Sequence, residues 1–356
     1  MNKDRYPETE RPKYVPETTC QLRTYGDPRP DGGDTVPQNT AASPPVSGAA
    51  DQETPQERFR KALGQVIRDP DGLLIFLHGF LGCGAEWHDA LDILRGQVRC
   101  ALVAPDLPGH GTCSLPVTRD FRLEDAVPAL SACSNCVIWG YSMGGRIAMM
   151  TAARMLDQAD SRGGICRIRG LVIESAHPGL TDSYTRQLRH ENDSRWAQKF
   201  EEEQPEDVLS QWYMQPVFSS LTSEQKRLLT AEKLFTDGSR PAAALRTFSL
   251  GSQKDLAPVL QRLPTLYLYG TGDSRFTSVA EEIRTRAPGA WIMPVDGGSH
   301  NLHRFRLREI LHLAGLPLPE NTSRIQSGST AGTVPGSAGK TDIRDADTSA
   351  SAEPVE

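Results

Sequence analysis

The sequence predicts an α/β fold: a mostly parallel central sheet, helices on both faces, and a helical insert forming a lid. Three observations predict it. Apolar, β-branched or aromatic runs alternate with amphipathic helical patterns through the middle of the chain, and such alternation implies right-handed crossovers onto a parallel sheet. From Pro178 to Lys254 the alternation stops, and helical segments follow one another without a strand. Apolar residues are concentrated between positions 55 and 320, so one core domain is expected there, not two.

The elements follow in order. LLIFLHG (73–79) is the first buried strand, and a helical pattern covers 86–95. VRCALVAPDL (98–107) is the second strand, followed by a helical pattern over 121–131. NCVIWGYS (135–142) runs into a helix over 143–156, and IRGLVIES (168–175) is the fourth strand. PTLYLYGTGD (264–273) and AWIMPVDGG (290–298) are the last two, followed by helices over 276–286 and 302–314. Gly, Pro, Asp or Asn bounds each apolar run, the punctuation expected of buried strands. Segments such as SRWAQKFEEE and SEQKRLLTAEKLF fill the insert, about 178–254. Ligands of open α/β sheets bind at the carboxyl edge of the strands, so this lid is expected to line a substrate pocket.

Residues 1–54 are about 24% hydrophobic, with eight prolines, and 321–356 are about 25% hydrophobic without an aromatic. Both are expected to be disordered tails, because neither can bury enough apolar area to offset chain entropy. The formal charge of −6 resides mostly in them; the middle carries about −1. No basic surface argues for nucleic acid as a partner. Apolar runs are too short for a membrane span, and the charged start MNKDRYPETE is no secretory signal. Seven scattered cysteines fit reduced thiols and a cytoplasmic setting. Cys133-x-x-Cys136 lacks the second pair a zinc site needs, so no metal is expected.

Gly140-Tyr141-Ser142-Met143-Gly144 is the one G-x-S-x-G in the chain, with a strand before it and a helix after it. A serine on so tight a strand-to-helix turn has a strained backbone and neighbours too close for a Cβ. The helix N-terminus directs free N–H groups at it, which makes Ser142 the candidate nucleophile or base. The backbone amides of Phe80, after His78-Gly79, and of Met143 are the candidate oxyanion donors. The acid and base should follow in the order Ser, Asp/Glu, His. Asp273 ends a strand and His300 lies in a Gly/Ser loop just after the next, which fits those roles. Glu174 and His303 are the competitors, with His303 expected on the surface at the start of the last helix. His78, Asp106 and His110 are expected to order loops.

Residues of roughly 72–314 resemble the α/β-hydrolase superfamily. LHGFLGCGAEW (77–87), DLPGHG (106–111), GYSMGGRIAMM (140–150), ESAHPGL (174–180), SRWAQKF (194–200) and QWYMQPVFSSL (211–221) narrow the likeness. Together they resemble the MenH-type lyases, the 2-succinyl-6-hydroxy-2,4-cyclohexadiene-1-carboxylate synthases of menaquinone biosynthesis. The resemblance implies elimination of pyruvate from a polycarboxylate small molecule, with the triad removing a proton and with no cofactor. It implies substrate contacts from Tyr141, Arg146, Arg189, Trp212 and Tyr213. It also implies one from Lys233, where the family pattern has arginine; lysine keeps the charge but loses the bidentate fork. The fold alone also allows a serine hydrolase acting on esters or carbon–carbon bonds, or a non-enzymatic scaffold.

Overall fold

The computed structural model describes residues 53–163, 165–233 and 237–319. Most of the two tails, 1–52 and 320–356, therefore lies outside the described residues. Six strands form one parallel sheet in the order β2-β1-β3-β4-β5-β6. They are β1 (Gly72–Leu77), β2 (Ala101–Val103), β3 (Asn135–Tyr141), β4 (Ile168–Glu174), β5 (Thr265–Gly270) and β6 (Trp291–Val295). The chain steps from β1 outward to β2 and then back across β1 to β3. This reversal separates two neighbouring strand ends and opens a crevice beyond them.

The two faces of β1 show why the strands read as continuous apolar runs. Leu73, Ile75 and Leu77 point into one core, and Leu74 and Phe76 into the other. Successive side chains of a strand leave on opposite faces, so a sheet covered on both sides is apolar at every position. One face is covered by α3 (Leu123–Ala126), α4 (Ala129–Ala132), α5 (Met143–Arg162), α10 (Ala257–Arg262) and α11 (Ser274–Arg286). The other is covered by α1 (Pro55–Arg68), α2 (His88–Leu94), α12 (Leu302–Phe305) and α13 (Leu307–Ala314).

Several boundaries differ from the expectation, each for a physical reason. The second strand shrinks from 98–107 to Ala101–Val103. It is an edge strand, and its flanks are held elsewhere: the Arg99 N–H donates to the Ile67 carbonyl at 2.7 Å. Asp106 folds its carboxylate onto the Gly84 and Thr112 amides, each at 2.7 Å. The 121–131 helix breaks into α3 and α4 at Pro128, which has no N–H to continue the ladder. The 143–156 helix runs on to Arg162 and stops at Gly163, whose φ is 65°. The 302–314 helix is interrupted at Arg306. Helix α1 precedes the first expected element. Thr54 and Glu57 close a capping box around Pro55 at its start, and Phe59, Leu63 and Val66 face the core.

The insert contains α6 (Ser183–Glu202), α7 (Pro205–Trp212), α8 (Ser223–Glu232) and α9 (Ser239–Thr247). It has a small core of its own, in which Ala197, Phe200, Val208, Leu209, Ala242 and Leu245 meet Leu81 of the main body. Helix α6 has no dominant apolar stripe, and Tyr184 and Leu188 on it are exposed. Among the described residues no helix is long and apolar enough to cross a membrane.

Candidate active site

Ser142 stands between β3 and α5 with φ 49° and ψ −111°, a left-handed conformation that side-chain-bearing residues avoid. Two hydrogen bonds hold it there. Its N–H donates to the Glu174 carbonyl at 2.9 Å, and its own carbonyl accepts from the Arg146 N–H at 3.1 Å. The flanking glycines are sterically required. A Cβ on Gly140 would stand 2.5 Å from the Gly144 carbonyl oxygen, and one on Gly144 would stand 2.5 Å from the His78 carbonyl oxygen.

Asp273 and His300 are both buried, with 3% and 4% of their surface exposed. His300 Nδ1 lies 3.1 Å from Asp273 Oδ2. An ionised carboxylate only accepts, so Nδ1 carries the proton and Nε2 is left basic. Phe276, Tyr141 and Phe218 surround the ring, with centroids at 4.8, 5.2 and 5.8 Å. Ser142 and His300 line one pocket together with Phe80, Met143, Tyr141, Arg146, Arg189 and Trp212. The lid contributes Arg189, Asn192, Asp193, Trp212 and Phe218 to it. Trp212 packs on Phe80 at 5.0 Å and on Trp196 at 5.0 Å. Tyr141 is buried, and burial first, then nearby Glu174, raises its pKa well above the usual value. Its hydroxyl therefore stays protonated, able to donate.

The pocket is cationic. Arg146 donates to the Gln253 amide oxygen at 3.3 Å. Burial, and then repulsion from Arg189, lowers its pKa to about 10, so the guanidinium remains charged near neutrality. Arg189 donates through Nε to both oxygens of Asp193 at 2.9 and 3.0 Å. Asp193 is itself buried and also accepts from Ser249 Oγ at 2.7 Å. His177 records the field of these cations. Burial first, then Arg275, Arg286, Arg189 and Arg146, depresses its pKa to about 4.

Two residues expected in the pocket lie elsewhere. Tyr213 is buried behind it, with its ring 5.0 Å from Phe218. Lys233, at the end of α8, is ion-paired with Glu86 and does not line the pocket. It follows a lid helix whose exposed face could not be told from the sequence, and its partner is distant in the chain. The competing pair is also displaced. Glu174 is fully buried and accepts from the His303 backbone N–H at 3.0 Å and from His303 Nδ1 at 2.8 Å. Far from being on the surface, His303 is 3% exposed and stacks on Trp87 at 4.5 Å. Neither lines the pocket. His78 is a loop anchor: its Nε2 accepts from the Leu107 N–H at 2.9 Å, and Nδ1 meets the Gly79 carbonyl at 2.7 Å. Arg275, Asp193, His177 and Gln253 were missed. For Arg275 a signal existed, since it stands two residues after Asp273 at a carboxyl strand end.

Comparison with known proteins shows the family and the fold. Residues 74–311 match the model of the alpha/beta hydrolase family. The 2-succinyl-6-hydroxy-2,4-cyclohexadiene-1-carboxylate synthase of Salmonella paratyphi C is 38% identical over 237 residues, covering 65% of this chain and 87% of that protein. The synthase of Salmonella choleraesuis matches to the same extent. Among solved structures, MenH from S. aureus superposes with a TM-score of 0.59 at 24% identity, covering 70% of this chain and 94% of that one. A thermophilic esterase from Thermogutta terrifontis superposes with a TM-score of 0.55 at 18% identity, covering 68% and 87%. The structural likenesses show the fold.

Proposed function

Because the chain belongs to the α/β-hydrolase family, and within it to the 2-succinyl-6-hydroxy-2,4-cyclohexadiene-1-carboxylate synthases, we propose that it eliminates pyruvate from 2-succinyl-5-enolpyruvyl-6-hydroxy-3-cyclohexene-1-carboxylate in menaquinone synthesis. The observation that carries this reading is one pocket containing Ser142, His300 and more guanidinium groups than carboxylates. The substrate has three carboxylates, on the ring, the enolpyruvyl group and the succinyl chain. Arg146, bonded to a neutral amide, is placed to take one. The open fork of Arg189 is placed to take another.

Each remaining group has a role that follows from its chemistry. Nε2 of His300 draws the proton from Ser142 Oγ, and the oxygen removes a proton from carbon beside a carbonyl. Asp273 fixes the tautomer. The Phe80 and Met143 amides hold the oxyanion of the resulting enolate. The enolate's electron pair then forms a new ring double bond, the existing ring double bond shifts one position toward the enolpyruvyl group, and the ring carbon–oxygen bond to that group breaks; pyruvate leaves as its enolate, which takes up the proton held on His300. Tyr141, at the end of β3, and Trp212 of the lid cover the ring.

The catalytic unit is one domain of about 55–320 with its lid at 178–254. A reducing cytoplasmic setting is supported by the free thiols of Cys83, Cys100, Cys113, Cys133, Cys136 and Cys166. The test is a lactate-dehydrogenase-coupled assay of pyruvate release, run beside p-nitrophenyl acetate hydrolysis. The reading expects catalytic pyruvate release and slow ester turnover. Fast ester turnover with covalent labelling and no pyruvate would favour a serine hydrolase of the same fold.

A further inference from the structure

Three guanidinium groups, of Arg146, Arg189 and Arg275, line the pocket against one carboxylate, that of Asp193. Asp193 is already held by Arg189 and Ser249. The other carboxylate near Arg275 is Asp273, whose two oxygens serve His300 and the Phe276 N–H. Arg275 is exposed and has no hydrogen bond or ion pair among the described residues. Its position is unfavourable for the fold alone. It lies in the first turn of α11, where the positive end of the helix dipole disfavours a cation, and it shares the pocket with two like charges. An arginine that the fold would prefer to lose, facing a cavity with excess positive charge, is one whose counter-ion is the ligand.

We propose that Arg275 is a substrate-binding residue that pairs with one carboxylate of the polycarboxylate substrate. The inference rests on the reading above. It supplies a third cationic contact that Lys233 does not, because Lys233 is engaged by Glu86 outside the pocket. A guanidinium can take a carboxylate through two parallel N–H bonds, so an arginine here fixes orientation as well as charge.

The test compares the parent enzyme with Arg275→Gln and Arg275→Lys. Pyruvate release from the enolpyruvyl substrate is measured, with calorimetric titration of propane-1,2,3-tricarboxylate as a probe of carboxylate binding. Arg275→Gln is expected to raise KM at least tenfold with kcat within threefold, and to weaken the tricarboxylate at least fivefold. Arg275→Lys should recover most of both losses. Because the side chain is exposed, melting temperatures should agree within a few degrees. A KM and a tricarboxylate affinity both within twofold of the parent would overturn the inference. So would a fall in kcat alone that lysine does not rescue, since that would mark a positioning effect through neighbouring Asp273. Failure of the parent to release pyruvate would count against the proposed reaction, not against Arg275. The titration then decides alone: weaker binding in Arg275→Gln supports the contact, and equal or absent binding in both proteins overturns it.

Discussion

Asp273 holds His300 with one carboxylate oxygen and starts helix α11 with the other. Oδ2 meets His300 Nδ1 at 3.1 Å, while Oδ1 accepts the Phe276 N–H at 3.2 Å. The same side chain therefore sets both the histidine tautomer and the direction of the helix that carries Arg275. In Asp273→Asn one oxygen remains to cap the helix, and the amide turned toward His300 favours the wrong tautomer. The expected result is a kcat lower by about 100- to 10,000-fold, with a melting temperature within a few degrees of the parent. Steady-state pyruvate release and a thermal melt check both.

A second carboxylate–histidine pair, Glu174–His303, lies close by without lining the pocket. Its role is to satisfy buried polar groups; Glu174 also accepts from Trp139 Nε1 at 3.4 Å. The two histidines should therefore separate in their phenotypes. His300→Gln should abolish turnover with little effect on stability. His303→Gln should retain turnover within about tenfold and lose about 2 kcal/mol of stability, the scale of an unsatisfied buried carboxylate. Urea midpoints and initial rates on both variants distinguish them, and equal loss of activity would contradict the assignment.

Lys233 ties the end of lid helix α8 to Glu86 in the loop after β1. Both side chains are mostly buried, with 11% and 8% exposed, so removing one partner strands the other charge. Lys233→Met is expected to cost about 3–5 kcal/mol of stability while leaving KM within threefold. Adding Glu86→Gln should recover part of that loss. A rise in KM without a stability change would return Lys233 to the substrate.

His177 and His110 couple stability to pH. Burial, as the first cause, brings both to about 4 from the ordinary 6.5. Above pH 6.5 both are neutral in the folded and unfolded chain and neither contributes. As pH falls from 6.5 to 4 the unfolded chain takes up protons that the folded one refuses, so stability drops across that window. At pH 5 the loss is about 2 kcal/mol per histidine. His177 Nδ1 also accepts the Gly179 N–H at 3.0 Å, which a protonated ring cannot do. Urea midpoints at pH 7 and pH 5 should show a smaller drop in His177→Gln than in the parent; an equal drop would remove His177 from this account.

Much of the sheet is legible because its signal is local. Every position of β1 is apolar since both faces are covered, and the glycines around Ser142 are dictated by contacts within a few residues. Thr54-Pro55-Gln56-Glu57 carries a local signal too, a capping box with proline at the helix start. Less legible are features set by distant partners. His303 has the sequence context of a surface helix start, yet Glu174 and Trp87 bury it. Lys233 occupies a basic position on a lid helix, but Glu86, far along the chain, decides where its ammonium goes. The direction of Arg275 depends on the phase of α11, which Asp273 fixes by capping it. Ion pairs between remote segments leave no periodicity to read.

In the proposed reaction Ser142, as partner of His300, removes the proton that starts pyruvate loss. Pyruvate release by Ser142→Ala against the parent tests it most directly, with folding verified by an unchanged melting temperature. In Ser142→Ala kcat is expected to fall by at least about 100-fold while KM changes little, because the arginine contacts remain. Turnover within a few-fold of the parent would contradict it.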